Sequence, residues 1–196
     1  MPRIYLASAS PRRHEILTHM GVEHVILTVP APEGEDEPRL PDENPQDYVK
    51  RTALDKALRA NSWIEQNKLP RYPILTADTT VSLDGRILGK PESIQDAKRM
   101  LGYLSGKTHL VQTAVTLTLK GVVHERLSTT QVTFDTLSAA QIEAYAGSDE
   151  PWGKAGGYGI QGQAAAFIVN IHGSYSGVMG LPVYETAQLL RLCGTG

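Results

Sequence analysis

Residues Ile4 to Leu17 constrain the chain most, because they prescribe a strand, a tight connection and a helix in sequence. Ile4-Tyr-Leu6 reads as a short buried strand, small residues run from Ala7 to Ser10, and Pro11 is pre-set for a first helical position. Ser10 is placed to cap that helix with its hydroxyl. The charge does not fit: Arg12 and Arg13 fall in the first turn, where the helix dipole disfavours each cation by about 0.3–1 kcal/mol. A bound anion would resolve the conflict. Phosphate suits it best, since free amides and guanidinium groups both bind it. A solvated arginine pair on an exposed turn would read the same, and the stretch alone leaves both open.

Any such anion site must be local. The 196 residues carry a formal net charge of −2, which gives no general attraction to nucleic acid or anionic membranes. Hydrophobic residues at 41% and charged ones at 20% describe a soluble globular chain large enough to bury a core. The lone Cys193 excludes an intramolecular disulfide and a cysteine zinc site. No signal-peptide pattern and no long apolar run are present, so the expected location is cytoplasmic.

Helix 11–20 should stop at Gly21, with a strand over 22–29 after it. Pro30 to Pro45 is proline-rich and acidic (Glu33, Glu35, Asp36, Glu37, Asp42, Glu43), the pattern of a solvated loop. Asn44-Pro45 restarts a helix toward Trp63, with an inner stripe of Val49, Ala53, Lys56, Ala60 and Trp63 or Ile64. Lys56 is the odd charge in that stripe, although a lysine can snorkel out of one. Pro73 to Leu83 is a strand interrupted by Asp78 among Leu75, Ala77 and Val81; a buried carboxylate there must be paired, metal-bound or functional. Asp84-Gly85 is a two-residue hairpin turn. Ser93 with Asp96 and Ser138 with Gln141 open helices ending near Leu104 and Gly147. Between them, His109 to Leu119 and Val122 to Phe134 read as scaffold strands without chemistry. Ser148 to Gln163 then holds five glycines after Trp152, together with Lys154, Tyr158 and Gln161; close backbone approach to a ligand explains that composition better than regular structure. Ala165 to Ile171 is the last strand, Gly173 to Pro182 a loop, and Pro182 to Cys193 the closing helix.

Taken in order, Leu6-Ala-Ser-Ala-Ser-Pro-Arg-Arg13, Asp36-Glu37, Lys56, Ala77-Asp-Thr79, Lys90-Pro91, Lys154-Ala-Gly156, Tyr158-Gly-Ile-Gln-Gly162 and Gly180-Leu-Pro182 resemble the Maf family of nucleotide pyrophosphatases. The set spans nearly the whole chain. Gly153 and Gly89 depart from it, standing where many members carry an aspartate and some a glutamate, and the acidic loop before Glu37 is longer than usual.

The resemblance implies one domain over residues 1–196 with an α/β fold: a long twisted mixed β-sheet and flanking helices forming two lobes around a central cleft. It implies hydrolysis of a nucleoside triphosphate to monophosphate and pyrophosphate with Mg²⁺ or Mn²⁺, no nucleic-acid polymer or membrane as partner, and a homodimer. Asp78 would be the base, Glu37 with Asp78 the metal ligands, and Ser8, Ser10, Arg13, Lys56 and Lys90 the phosphate ligands. Arg12, Thr79 and Gln161 match the subgroup acting on dTTP and UTP, not its sister acting on 7-methyl-GTP. The alternatives are a nucleotide-binding regulator of septum formation without turnover and a 7-methyl-GTP pyrophosphatase. A glutamine amide could pair with the imide edge of uracil or thymine. Thr79 follows Asp78 on a strand and should face the opposite way.

Overall fold

The computed structural model describes residues 3–31 and 37–194; Glu33, Glu35 and Asp36 lie outside them. Strand β1 (Ile4–Leu6) leads into helix α1 (Pro11–His19) and strand β2 (His24–Ile26), which is shorter than the expected 22–29. Ser10 has the extended backbone of a cap, but its hydroxyl makes no capping bond, so that expectation fails. Helix α2 (Pro45–Gln66) starts where Asn44 accepts the Asp47 amide at 2.9 Å, and Pro45 fills a position that needs no amide hydrogen. It buries Val49, Ala53, Ala60 and Ile64 as expected, and Tyr48, Thr52 and Ala57 in addition.

Strand β3 (Ile74–Leu83) turns through Asp84-Gly85, both at positive φ (51° and 75°), into β4 (Arg86–Leu88). Helix α3 (Ile94–Leu104), long strands β5 (Thr108–Leu119) and β6 (Val122–Phe134), and helix α4 (Ala139–Ala146) follow. Ser138 and Gln141 form the full capping box. The glycine-rich stretch folds into short 3₁₀ turns at Ala155–Gly157 and Gln163–Phe167. The last strand, β7 (Ile168–His172), therefore starts later than expected, since Ala165 to Phe167 belong to the second turn. The expected 173–182 loop contains a short helix, α5 (Tyr175–Met179), and α6 (Val183–Arg191) closes the chain.

One seven-stranded sheet runs β2-β1-β3-β5-β6-β7, with β4 also on β3. It is mixed: β1 is parallel to β2 and β3, and every other pairing is antiparallel. Helix α2 packs on one face against β3 and β5. On the other face the sheet carries two cores. Leu75, Ala77, Val115 and Leu117 join α1 and α6 residues such as Leu17 and Leu189. Val81, Leu83 and Val111 join Leu101, Phe134, Tyr145 and Phe167 in the second lobe. The sheet is continuous, its cores are separate, and a cleft opens between them.

Candidate active site

Strand β3 has β5 along one side for most of its length. Its other side is shared. Strand β1 pairs only at Ile74 and Leu75, and β4 only from Val81 onward, so Thr76 to Thr80 meet no strand there among the described residues. Parallel β1 and antiparallel β4 both aim their C-terminal ends at this gap. The Ala7–Ser10 loop thus arrives from one side and Gly89-Lys90 from the other. Ligands of open α/β sheets sit beyond strand C-termini at such a change of direction. A cleft of about 580 Å³ lies here, lined by Ser8, Ser10, Arg12, Arg13, Glu37, Lys56, Asp78, Thr79 and Lys90. That volume suits a small-molecule ligand.

Asp78 is 4% exposed, and the structure answers the question its burial raised. Helix α2 presents Thr52 and Lys56 one turn apart on a single face. The Thr52 hydroxyl reaches Asp78 Oδ2 at 2.8 Å, and Lys56 Nζ reaches Oδ1 at 2.6 Å. Both carboxylate oxygens are satisfied, as a buried charge requires. The same ammonium forms an ion pair with Glu37, whose backbone carbonyl accepts the Tyr48 hydroxyl at 3.1 Å. Burial, with the Glu37 and Asp78 charges next, pushes the Tyr48 pKa up to about 12, so this hydroxyl stays a donor. Lys56 does not snorkel away; it joins two carboxylates. Glu43 is not simply solvated either, since Arg51 Nε holds it at 2.6 Å.

Arg13 is different. Its hydrogen bonds among the described residues go to neutral oxygens: the Gly180 carbonyl (2.7 Å), Ser8 Oγ (3.2 Å) and Thr79 Oγ1 (3.3 Å). Burial lowers its pKa, Asp78 and Glu37 pull it back up, and Arg12 lowers it again. A partly buried cation held by dipoles, facing a cleft, is suited to an anion. Arg12 Nε donates to the Met179 carbonyl at 3.3 Å. Both arginines therefore clamp the end of α5, whose Val178, Met179 and Gly180 form a wall of the cleft.

The glycine-rich stretch adds Trp152, Lys154, Tyr158 and Ile160 to the lining. Gly156 (φ 72°) donates to the Gly89 carbonyl at 2.9 Å, and a Cβ on it would come within 2.9 Å of Val81. Close packing on β3 explains this glycine. Lys154 donates to the Glu150 carbonyl, and burial followed by the Arg12 charge lowers its pKa. Gln161 is exposed and stands outside the cleft lining; its neighbour Ile160 lines it instead. Lys90 is exposed at the cleft.

Thr79 faces away from Asp78, as strand alternation requires, and bonds Thr113 Oγ1 at 2.9 Å. Thr52, Tyr48 and Thr113 are the site residues that sequence reasoning missed. Thr52 could have been found one turn before Lys56, whereas Thr113 looked like an ordinary strand residue. For a metal, Glu37 and Asp78 supply two hard oxygen ligands that already converge on one cation, the Lys56 ammonium. No group of three or more His, Cys, Asp or Glu side chains placed to hold a metal ion occurs among the described residues. Substrate oxygens or water would have to complete such a site. No helix among them is long and apolar enough to cross a membrane.

The sequence is similar to known proteins along nearly its whole length. The chain is 57% identical over 193 residues to a dTTP/UTP pyrophosphatase of Bordetella avium, covering 98% of this chain and 96% of that one. It is 52% identical over 195 residues to a dTTP/UTP pyrophosphatase of Nitrosomonas europaea, covering 97% and 94%. A solved nucleoside-triphosphatase / dITP/XTP pyrophosphatase from Mycobacterium abscessus shares 19% identity over 70% of this chain and 77% of that one. Its TM-score of 0.44 is too low to carry an argument. The profile of the Maf-like proteins matches residues 3–193, and the chain belongs to the Maf-like protein family.

Proposed function

We propose that this chain hydrolyses dTTP and UTP to the monophosphate and pyrophosphate. The observation that carries the chemistry is the meeting of Asp78, fixed by Thr52 and Lys56, with Arg13 and Lys90 across one gap in the sheet. The substrate reading is supported by the names of relatives more than half identical along the whole length.

Hydrolysis at the α-phosphorus needs a group to take a proton from water and cations to offset the phosphate charge. Asp78 is the base. Thr52 holds Oδ2 and Lys56 holds Oδ1, and Oδ1, with a second lone pair to accept with, would take the proton from the water. Lys56, Arg13 and Lys90 surround the phosphates, with the Ser8 and Ser10 hydroxyls beside them. Glu37 and Asp78 would hold Mg²⁺ or Mn²⁺, which when bound would neutralise phosphate charge and acidify water. Arg12, Thr79 and Gln161 select the base, Gln161 from a turn outside the cleft lining. We place the enzyme in the cytoplasm as one domain.

Pyrophosphate release across a panel of nucleoside triphosphates tests this reading. The expected result is preference for dTTP and UTP, with Asp78→Asn about 10²–10⁴-fold slower, the usual worth of a general base. If that variant matches the wild type, the base is misassigned. Preference for 7-methyl-GTP would overturn the substrate. Tight UTP binding without product in Mn²⁺ would make the chain a binding protein.

A further inference from the structure

On the face of the sheet that carries both cores, β3 presents Leu75, Ala77, Thr79, Val81 and Leu83, and β5 presents Leu117, Val115, Thr113 and Val111. From the Leu75–Leu117 rung to the Val81–Val111 rung one step is polar, and beyond Val111 this face of β5 continues to the buried His109. Thr79 and Thr113 are direct partners in the β3–β5 ladder, at the boundary between the two cores. Thr113 is fully buried. A hydroxyl pair, half-buried at Thr79 and fully buried at Thr113, between apolar rungs calls for a reason.

The hydrogen bonds give one, and their directions are determined. Thr113 Oγ1 lies 2.8 Å from the Gly177 carbonyl, which can only accept, so the single Thr113 proton goes there. Thr79 must then donate to Thr113 across 2.9 Å. The Thr79 oxygen is left to accept from Arg13 Nη2 at 3.3 Å, a group that can only donate. The relay runs Arg13, Thr79, Thr113, Gly177, with each hydroxyl donating once and accepting once. Arg13 also binds the Gly180 carbonyl and Arg12 the Met179 carbonyl. Three carbonyls of one short segment, at 177, 179 and 180, are thus held by the relay and the two arginines. Val178, Met179 and Gly180 of that segment line the cleft.

We propose that Thr113 is a specificity-determining positioning residue: with Thr79 it sets the α5 wall, and Thr79 influences substrate choice through that wall, its own proton being committed to Thr113. The inference rests on the proposed pyrimidine-triphosphate reading and adds to it a residue outside the Arg12, Thr79 and Gln161 set.

The test compares Thr113→Val, Thr113→Ser, Thr79→Val and the double valine variant with the wild type. It reads kcat and KM for dTTP, UTP, dCTP and GTP, nucleotide Kd by displacement, and the thermal midpoint. Valine keeps the shape and removes both roles of the hydroxyl. Thr113→Val should narrow the preference for dTTP over GTP about three- to tenfold, the worth of a neutral hydrogen bond. Thr113→Ser should keep that preference. The double variant should be no worse than either single one, because one relay is broken once. An unchanged preference in Thr113→Val, even with a lowered midpoint, would reduce Thr113 to a fold-stabilising residue and overturn the proposal. Multiplying effects of the two valines would also overturn it. A wild type without turnover would defeat the substrate reading alone, since the Kd ratios still judge the relay.

Discussion

His109 offers a stability prediction whose sign and size both follow from its surroundings. It enters β5 with 1% of its surface exposed. The Phe134 ring stands edge-on at 5.1 Å, and Nε2 lies 2.7 Å from the Tyr158 hydroxyl. Nδ1 is buried with no hydrogen-bond partner among the described residues. Protonation would put a second N–H and a charge into this pocket with nothing to receive them. Burial accordingly lowers the pKa from 6.5 to about 4. Above pH 6.5 neither the folded nor the unfolded histidine is charged, and the group makes no difference. Between 6.5 and about 4 the unfolded chain takes up a proton that the folded one refuses, so stability falls with acid. The slope approaches about 1.4 kcal/mol per pH unit, and the loss reaches about 2.5 kcal/mol by pH 4.5. Below about pH 4 both states are protonated and the penalty stays constant. Urea unfolding of the wild type and His109→Gln at pH 8, 6.5, 5.5 and 4.5 measures this. Carboxylate titrations largely cancel in the difference between the two proteins, leaving the histidine. The wild type should lose about 2.5 kcal/mol relative to the variant between pH 8 and 4.5. A difference constant within about 0.5 kcal/mol would show that the folded protein accepts the proton, and the reasoning would fail. Because Tyr158 lines the cleft, acid that expels His109 should loosen the glycine-rich wall as well.

Thr52→Val leaves Asp78 Oδ2 without its donor; unfolding free energy should drop by about 2 kcal/mol and kcat about tenfold, with Thr52→Ser restoring both, as denaturant titration and steady-state kinetics would show. Gly156→Ala must hold a side chain at φ 72° and press it into Val81, so a loss of about 3 kcal/mol is expected in the same titration. Arg13→Ala should depress hydrolysis of every triphosphate, while Arg12→Ala should alter the ranking among bases; a uniform loss in both would merge their roles.

Much of the chain is readable from neighbouring residues alone. Pro11 after small residues, Asn44-Pro45 and Ser138 with Gln141 are local devices, and each starts its helix where expected. Asp84-Gly85 turns as such a pair must. The two misfit charges were visible for the same reason: Lys56 within an apolar helical stripe and Asp78 within an apolar strand conflict with their own neighbours. Local signals failed where several outcomes cost little. A glycine-rich run offers no side-chain pattern, so the 3₁₀ turn over Gln163–Phe167 and the short α5 were missed.

What tertiary structure alone decided is pairing across distance. The gap beside Thr76 to Thr80 exists because β1 and β4, far apart in the chain, stop short of each other on one side of β3. Thr113 looks like any threonine in a strand until the ladder sets it opposite Thr79 and α5 brings the Gly177 carbonyl to it. Thr52 is a helical threonine until β3 delivers Asp78 beneath it. Residue types and local periodicity singled out Arg12, Arg13, Lys56 and Asp78, whereas Glu37 and Lys90 came only from the resemblance to a family. Register and helix docking chose which neutral groups hold them, because a hydroxyl's role is set by whatever lies within 3 Å of it and not by the residues on either side.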